Sequence, residues 1–298
     1  MPSLDEVLSD VGANPNGVID LKRHEYINKL AAHRGRNVIC YYSGWLQHMD
    51  GDPVDSLTDT DMTGFMTNVH GLDRGKGLDL VLHTPGGSLS AVESIVNYLH
   101  DCFGGDIVAF VPQLCMSAGT MIACACKEIY MGRQSSIGPT DPQFGGVPVG
   151  GVIEEFDRAV EETTKNPASI PIWSQIIGKY PPTFLGECQK TLNMSQTIVE
   201  EWLSGNMLKE DPAKAKEIAV WLGTHKDSAM HDRHISIRTA KEHGLIVKEL
   251  ESDNDLQDIV LTIHHTYMLS FERSTARKMI ENSDNKSWIK KAPEQIAA

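Results

Sequence analysis

Two short segments of this chain combine the residue types that acyl-transfer chemistry requires. His83-Thr84-Pro85-Gly86-Gly87-Ser88 is a glycine turn, and Leu114-Cys115-Met116-Ser117-Ala118-Gly119-Thr120 follows it about thirty residues later. A serine hydroxyl is a weak nucleophile until a base takes its proton and nearby donors stabilise the charge that develops on the attacked carbonyl. Glycine lets a backbone turn approach closely enough to offer N–H groups to that charge. Ser117 falls where a strand should end and a helix begin, a place where N–H groups point outward unpaired and the helix dipole favours negative charge. Together the two segments point to hydrolysis by a nucleophilic serine.

Specific elements must hold these segments. Asp106 to Val111, bounded by Gly105 and Pro112, is a short apolar run rich in β-branched residues and predicts a buried strand. Ala118 to Cys126 predicts a close-packed helix of small residues. Leu78 to Leu82 predicts a second strand ending in Thr-Pro-Gly-Gly, ahead of a periodic helix from Ser90 to Leu99, and Val38 to Trp45 predicts the strand that begins the core. Alternation of strand and helix to about residue 150 gives an α/β fold around a mostly parallel sheet. Residues 1–36 read as an N-terminal helical arm carrying Ile19, Ile27 and Leu30. Gly145 to Gly151 reads as a flexible joint, and residues 152–223 as a mainly helical insertion in which Asp211-Pro212 opens a helix that Gly223 closes. Residues 251–298 read as a C-terminal helical extension, with Leu256 to Ile280 as one helix.

A third segment, Ser136-Ile137-Gly138-Pro139-Thr140-Asp141-Pro142-Gln143, completes an ordered set with the two above. With Thr84-Pro85-Gly86-Gly87-Ser88 and Met116-Ser117-Ala118-Gly119-Thr120, it makes the chain resemble the serine dehydrogenase proteinase family, a branch of the Clp-fold serine proteases related to Clp protease and signal peptide peptidase. The resemblance runs from roughly residue 37 to 250. It implies stacked ββα units of Clp/crotonase-like type, Ser117 as nucleophile, and an oxyanion hole from the backbone N–H groups of Gly87 and Ala118. It also implies a triad in the order Ser, Asp, His, with Asp141 between two prolines that fix its backbone.

The base is the less determined member. Met230-His231-Asp232-Arg233-His234-Ile235 resembles the family's His-Asp segment, with His231 in the histidine position and His234 where the family usually has proline. A helix capped by Ser236 and ended by Gly244 should follow. A serine-lysine dyad through Lys165 is the competing arrangement, as in signal peptide peptidase relatives. A lysine base must be desolvated to lose its proton, and the surroundings Glu161-Glu162-Thr163-Thr164-Lys165 are acidic.

Composition bounds the reading further. The net charge of −13 argues against general affinity for nucleic acid. Phe271 to Lys291 is the basic exception, with six Lys/Arg against three Asp/Glu, and reads as a solvated helix face. No run approaches the roughly 20 apolar residues that span a bilayer, and Met1-Pro2-Ser3-Leu4-Asp5-Glu6 lacks the pattern of a secretory signal. Six cysteines without metal-ligand spacing fit a cytoplasmic enzyme with core thiols. The chemistry needs no metal or organic cofactor. A polypeptide substrate, a homo-oligomer, and a separate partner for any ATP-driven unfolding are expected, since no G-x-x-x-x-G-K-[ST] motif is present. Two other readings share the scaffold: a crotonase-like acyl-thioester enzyme using the same oxyanion donors, and a non-catalytic interaction protein without a working base.

Overall fold

The structure is a computed structural model that describes residues 15–224 and 233–292. Its centre is a seven-stranded sheet in the order β10-β5-β3-β2-β1-β11-β12. The strands are β1 (Asn37–Ser43), β2 (Leu78–His83), β3 (Ile107–Val111), β5 (Glu128–Met131), β10 (Val247–Glu249), β11 (Ala276–Asn282) and β12 (Ser287–Lys291). The first five pair in parallel, and β11 and β12 add antiparallel at one end. This is the mixed α/β architecture that the alternation of elements predicts.

Both faces of the sheet are covered, which is why β1, β2 and β3 are buried along their whole length and read as continuous apolar runs rather than alternating ones. On one face Ile39, Tyr41, Leu80, Leu82, Ala109 and Val111 meet the helices α2 (Asp61–Val69), α3 (Leu89–Phe103), α4 (Ala118–Ala125), α7 (Phe184–Gly205) and α8 (Pro212–Gly223). On the other, Val38, Cys40, Tyr42, Val108 and Phe110 meet α1 (Pro15–Arg34) and α10 (Asn254–Glu272). Ile27 and Leu30 therefore belong to the core, so α1 is a layer of the fold more than an arm. Among the described residues no helix is long and apolar enough to cross a membrane.

A second, three-stranded sheet sits beside the first, made of β4 (Leu114–Cys115), β6 (Ser136–Ile137) and β9 (Ile235–Ser236). It is short, yet it gathers three segments that lie more than a hundred residues apart in all. The predicted helix limits hold well here. Asp211 caps α8 through the Lys214 N–H at 3.0 Å. Ser236 accepts from the Thr239 N–H to start α9 (Ile237–His243), and Gly244 ends it at φ 101°.

Three sequence expectations are corrected. Gly145 to Gly151 is not a loose joint: β7 (Gln143–Phe144) and β8 (Val147–Pro148) form a hairpin around Gly145-Gly146, and α5 (Val149–Lys165) starts directly after it. α6 (Ile170–Ile177) then completes the insertion with α7 and α8. The C-terminal segment is helical only to Glu272, and then forms β11 and β12. Nor is its basic stretch a solvated face, because Arg277, Lys278 and Glu281 are buried against Asp55, Asp61 and Arg23 respectively.

Candidate active site

β2 and β4 bring the two glycine- and serine-bearing turns side by side. Thr84 forms a parallel bridge with Cys115, its N–H donating to the Leu114 carbonyl at 3.1 Å and its carbonyl accepting from the Met116 N–H at 3.0 Å. Gly86 then lies against Ser117. A Cβ at Gly86 would stand 2.7 Å from the Ser117 Cβ and 2.9 Å from the Met116 carbonyl oxygen, so only glycine allows the turns to touch. Gly119 serves the same approach from the helix side, since a Cβ there would meet the Thr84 Cγ2 at 2.4 Å.

Ser117 has φ 50° and ψ −117° at the strand-to-helix junction. A non-glycine residue rarely adopts this conformation, and strain of this kind concentrates at functional turns. A serine on a sharp strand-helix turn presents its Oγ beyond the sheet edge, as in nucleophile elbows. Ala118 is the first residue of α4, so its N–H has no partner within the helix. On the other flank Leu57 forms a parallel bridge with Gly87: the Leu57 N–H donates to the Gly86 carbonyl at 2.7 Å, and its carbonyl accepts from the Ser88 N–H at 2.9 Å. A residue bracketed in this way turns its own N–H away from the partner strand. The Gly87 N–H is thus directed away from Leu57.

The small sheet is built from strands that adjoin the other predicted residues in sequence. Leu114, Ser136 and Ser236 are aligned across it, as are Cys115, Ile137 and Ile235. One step further along this register stand Met116, Gly138 and His234, and a Cβ at Gly138 would indeed lie 3.4 Å from the Met116 Cα. The chain leaving β4 leads to Ser117, the chain leaving β6 leads to Asp141, and the chain entering β9 comes from the His231 segment. Thr120 ties the first two together, its hydroxyl donating to the Cys115 carbonyl at 2.9 Å and accepting from the Gly138 N–H at 2.9 Å.

Asp141 is buried, on a loop anchored at both neighbours. The Thr140 N–H donates to the Leu222 carbonyl at 2.8 Å, the Ser195 hydroxyl donates to the Thr140 carbonyl at 3.0 Å, and the Pro142 carbonyl accepts from the Val149 N–H at 3.0 Å. His231 lies outside the described residues. His234 is exposed at the entry to β9. Lys165 ends α5 with its side chain 72% exposed and paired with Glu161, which raises its pKa. Both features oppose what a dyad base needs.

Cys115, two residues before Ser117, is disfavoured as an alternative nucleophile by burial, which pushes its thiol well up from its ordinary pKa. Cys124 is pushed up to about 12 for the same reason. Among the described residues no group of three or more His, Cys, Asp or Glu side chains is placed to hold a metal ion. Sequence reasoning missed the contributions of Leu57 and Thr120. Leu57 acts through its backbone, which no residue type signals, and the Thr120 hydroxyl resembles any helical threonine until Gly138 is brought against it.

The fold and the turn geometry offer the parts that a serine hydrolase needs, and comparison with known proteins gives the family. The chain belongs to the ClpP-like SDH-type serine proteinases, whose family model matches residues 17–268. Among curated relatives, two uncharacterized proteins of Methanocaldococcus jannaschii are similar. MJ0137 is 28% identical over 211 residues, which is 71% of this chain and 65% of that protein. MJ1495 is 29% identical over 170 residues, which is 57% of this chain and 51% of that protein. The chain thus spans between half and two thirds of the length of these relatives. Among solved structures, a mutant of the 1510-N membrane-bound stomatin-specific protease aligns at TM-score 0.41 and 17% identity, over 68% of this chain and 79% of that one.

Proposed function

We propose that this chain is a serine endopeptidase using a Ser117-His231-Asp141 triad. His231 takes the Ser117 hydroxyl proton as the oxygen attacks a peptide carbonyl carbon, and Asp141 orients the imidazole and stabilises its charged form. The carbonyl electrons move onto oxygen, and the N–H groups of Gly87 and Ala118 stabilise that charge. Collapse of the tetrahedral species expels the amine, which receives the proton from His231. Water then repeats the sequence on the acyl-enzyme and frees Ser117.

The observation that carries the reading is the conformation of Ser117, at φ 50° on a strand-to-helix turn with Gly86 packed against it. A scaffold protein has no use for that strain, and an acyl-thioester enzyme using only the two N–H groups needs no hydroxyl there. The three strand ends gathered by the small sheet support the assignment of Asp141 and the His231 segment. The substrate class is polypeptide, the chain works in the cytoplasm as a homo-oligomer, and unfolding of folded substrates falls to a separate partner. Incubation with casein tests the peptidase reading: cleavage that disappears in Ser117→Ala is expected, with a loss on the order of 10⁴-fold or more. Cleavage that persists in Ser117→Ala would assign the activity elsewhere.

A further inference from the structure

The oxyanion turn is gripped from behind by a buried ion pair contributed by opposite ends of the chain. Lys278 on β11 and Asp61 at the start of α2 are both fully buried, with Nζ 2.6 Å from Oδ1 and 2.8 Å from Oδ2. The pair does more than neutralise itself. The Lys278 ammonium donates to the Ser56 carbonyl at 2.9 Å, and the Asp61 carboxylate accepts from the Thr58 N–H at 2.9 Å. Ser56 and Thr58 are the two neighbours of Leu57. The Tyr41 hydroxyl donates to Asp61 Oδ2 at 3.1 Å and completes the cluster.

Leu57 in turn holds both neighbours of Gly87, through the Gly86 carbonyl and the Ser88 N–H. The contact is close: a Cβ on Gly87 would fall 2.3 Å from the Leu57 carbonyl oxygen and 2.4 Å from its nitrogen. The path from the ion pair to the Gly87 N–H therefore runs through one residue held on each side at each stage, with no long side chain free to relax.

We propose that Asp61 and Lys278 are positioning residues that fix the Gly87 N–H for the oxyanion, through Leu57. The inference rests on the oxyanion role of Gly87 given above. A buried ion pair is a costly way to gain stability, since an apolar pair of similar volume often does as well. Directional hydrogen bonds to two successive peptide groups are something an apolar pair cannot supply. The cluster also gives β11 a part in the chemistry, although that strand lies more than 150 residues beyond Ser117.

The test is the rate at which a fluorophosphonate labels Ser117, read by intact mass, in the full chain and in Lys278→Met. The probe's phosphoryl oxygen occupies the oxyanion position, so a displaced Gly87 N–H slows the maximal labelling rate and leaves half-saturation nearly unchanged. A fall of about 10- to 100-fold in that maximal rate is expected. Arg23→Met is the control, because it breaks the buried Arg23–Glu281 pair, which β11 carries against α1, a helix on the sheet face opposite the core cluster of Leu57. It should lose stability and label at the wild-type maximal rate. Where Lys278→Met does not fold, the double variant Lys278→Met/Asp61→Leu, which removes both bonds without leaving a buried charge unpaired, gives the same reading. Wild-type protein that takes no label overturns the peptidase reading and this inference together. Labelled wild type with Lys278→Met labelled equally fast, or slowed no more than Arg23→Met, overturns this inference alone.

Discussion

Ser117 and the Gly86-Gly87 turn are joined by backbone hydrogen bonds between neighbouring strands, whereas Asp141 hangs from a loop whose anchors run to α7, α8 and the start of α5. The first half of the site is thus built into the sheet and offers almost no side chain to substitute. Its weak points are glycines, where an added methyl group meets backbone. The second half depends on hydroxyls and carbonyls of the helical insertion, so changes far from Ser117 can reach it. In the proposed mechanism, the nucleophile is then fixed by the fold and the acid-base apparatus is adjustable through the insertion.

Gly86→Ala breaks the rigid half most severely. Its φ of 100° suits glycine, and the new Cβ would crowd Ser117, Met116 and Ala118 at 2.7, 2.9 and 3.0 Å. Labelling of Ser117 by a fluorophosphonate should fall by about 100-fold, since a displacement of the order of 1 Å has that effect. Stability measured by urea unfolding should fall by about 1–3 kcal/mol through overpacking.

Thr120→Val addresses the tie between the halves. It leaves the Gly138 N–H without its buried acceptor and removes the bond to the Cys115 carbonyl. Unfolding free energy should drop by about 1–3 kcal/mol. The comparison is sharpened if the pH dependence of Ser117 labelling shifts while its high-pH plateau is kept, because the loop to Asp141 loosens while the turn at Ser117 keeps its own bridge.

The sheet face opposite Ser117 carries a buried pH sensitivity. His83, the residue before Thr84, packs edge-on to His264, and burial lowers the pKa of both, that of His264 to about 3. Both stay neutral when folded, while the unfolded chain takes up protons below about pH 6.5. Stability should therefore fall as pH drops below about 6.5, by about 1.4 kcal/mol per pH unit from His264 down to about pH 3, with His83 acting in the same direction. His264→Leu should flatten the slope by one proton in denaturation curves taken between about pH 6 and 4.5. An unchanged slope would mean that His264 is already protonated in the folded protein.

Ser195→Ala is the mildest probe of the adjustable half. It removes one hydrogen bond to Thr140 and should cost about 1 kcal/mol of stability. A shifted pH dependence of Ser117 labelling with its high-pH plateau kept would fit the contrast; a lowered plateau with no such shift would erase it.

The elements around Ser117 were legible because they obey local rules. Leu78 to Leu82 and Asp106 to Val111 are apolar runs bounded by turn residues, and both are strands in the central sheet. The C-terminal strand was not legible. Ala276-Arg277-Lys278-Met279-Ile280-Glu281-Asn282 carries three charged residues in a fully buried strand, a pattern that on sequence alone belongs to a solvated helix. Its charges are satisfied by Asp55, Asp61 and Arg23, each more than 200 residues away. The same limit applied within the site. The glycine turn and the strand-to-helix place of Ser117 could be read from turn and cap chemistry, and the oxyanion roles proposed for Gly87 and Ala118 are what the family resemblance implies, whereas Leu57 contributes only a peptide backbone and Thr120 only a hydroxyl whose partner comes from another loop.

The central claim is that Ser117 is an activated nucleophile with His231 as its base. Fluorophosphonate labelling as a function of pH, on wild type and His231→Ala, tests it most directly. The expected result is a single adduct on Ser117 in wild type, with a rate that rises through the titration of one histidine. His231→Ala should lose that pH dependence and at least about 100-fold of the rate. A folded wild-type protein that takes no label, or a Ser117 labelled equally fast without His231, would contradict the account.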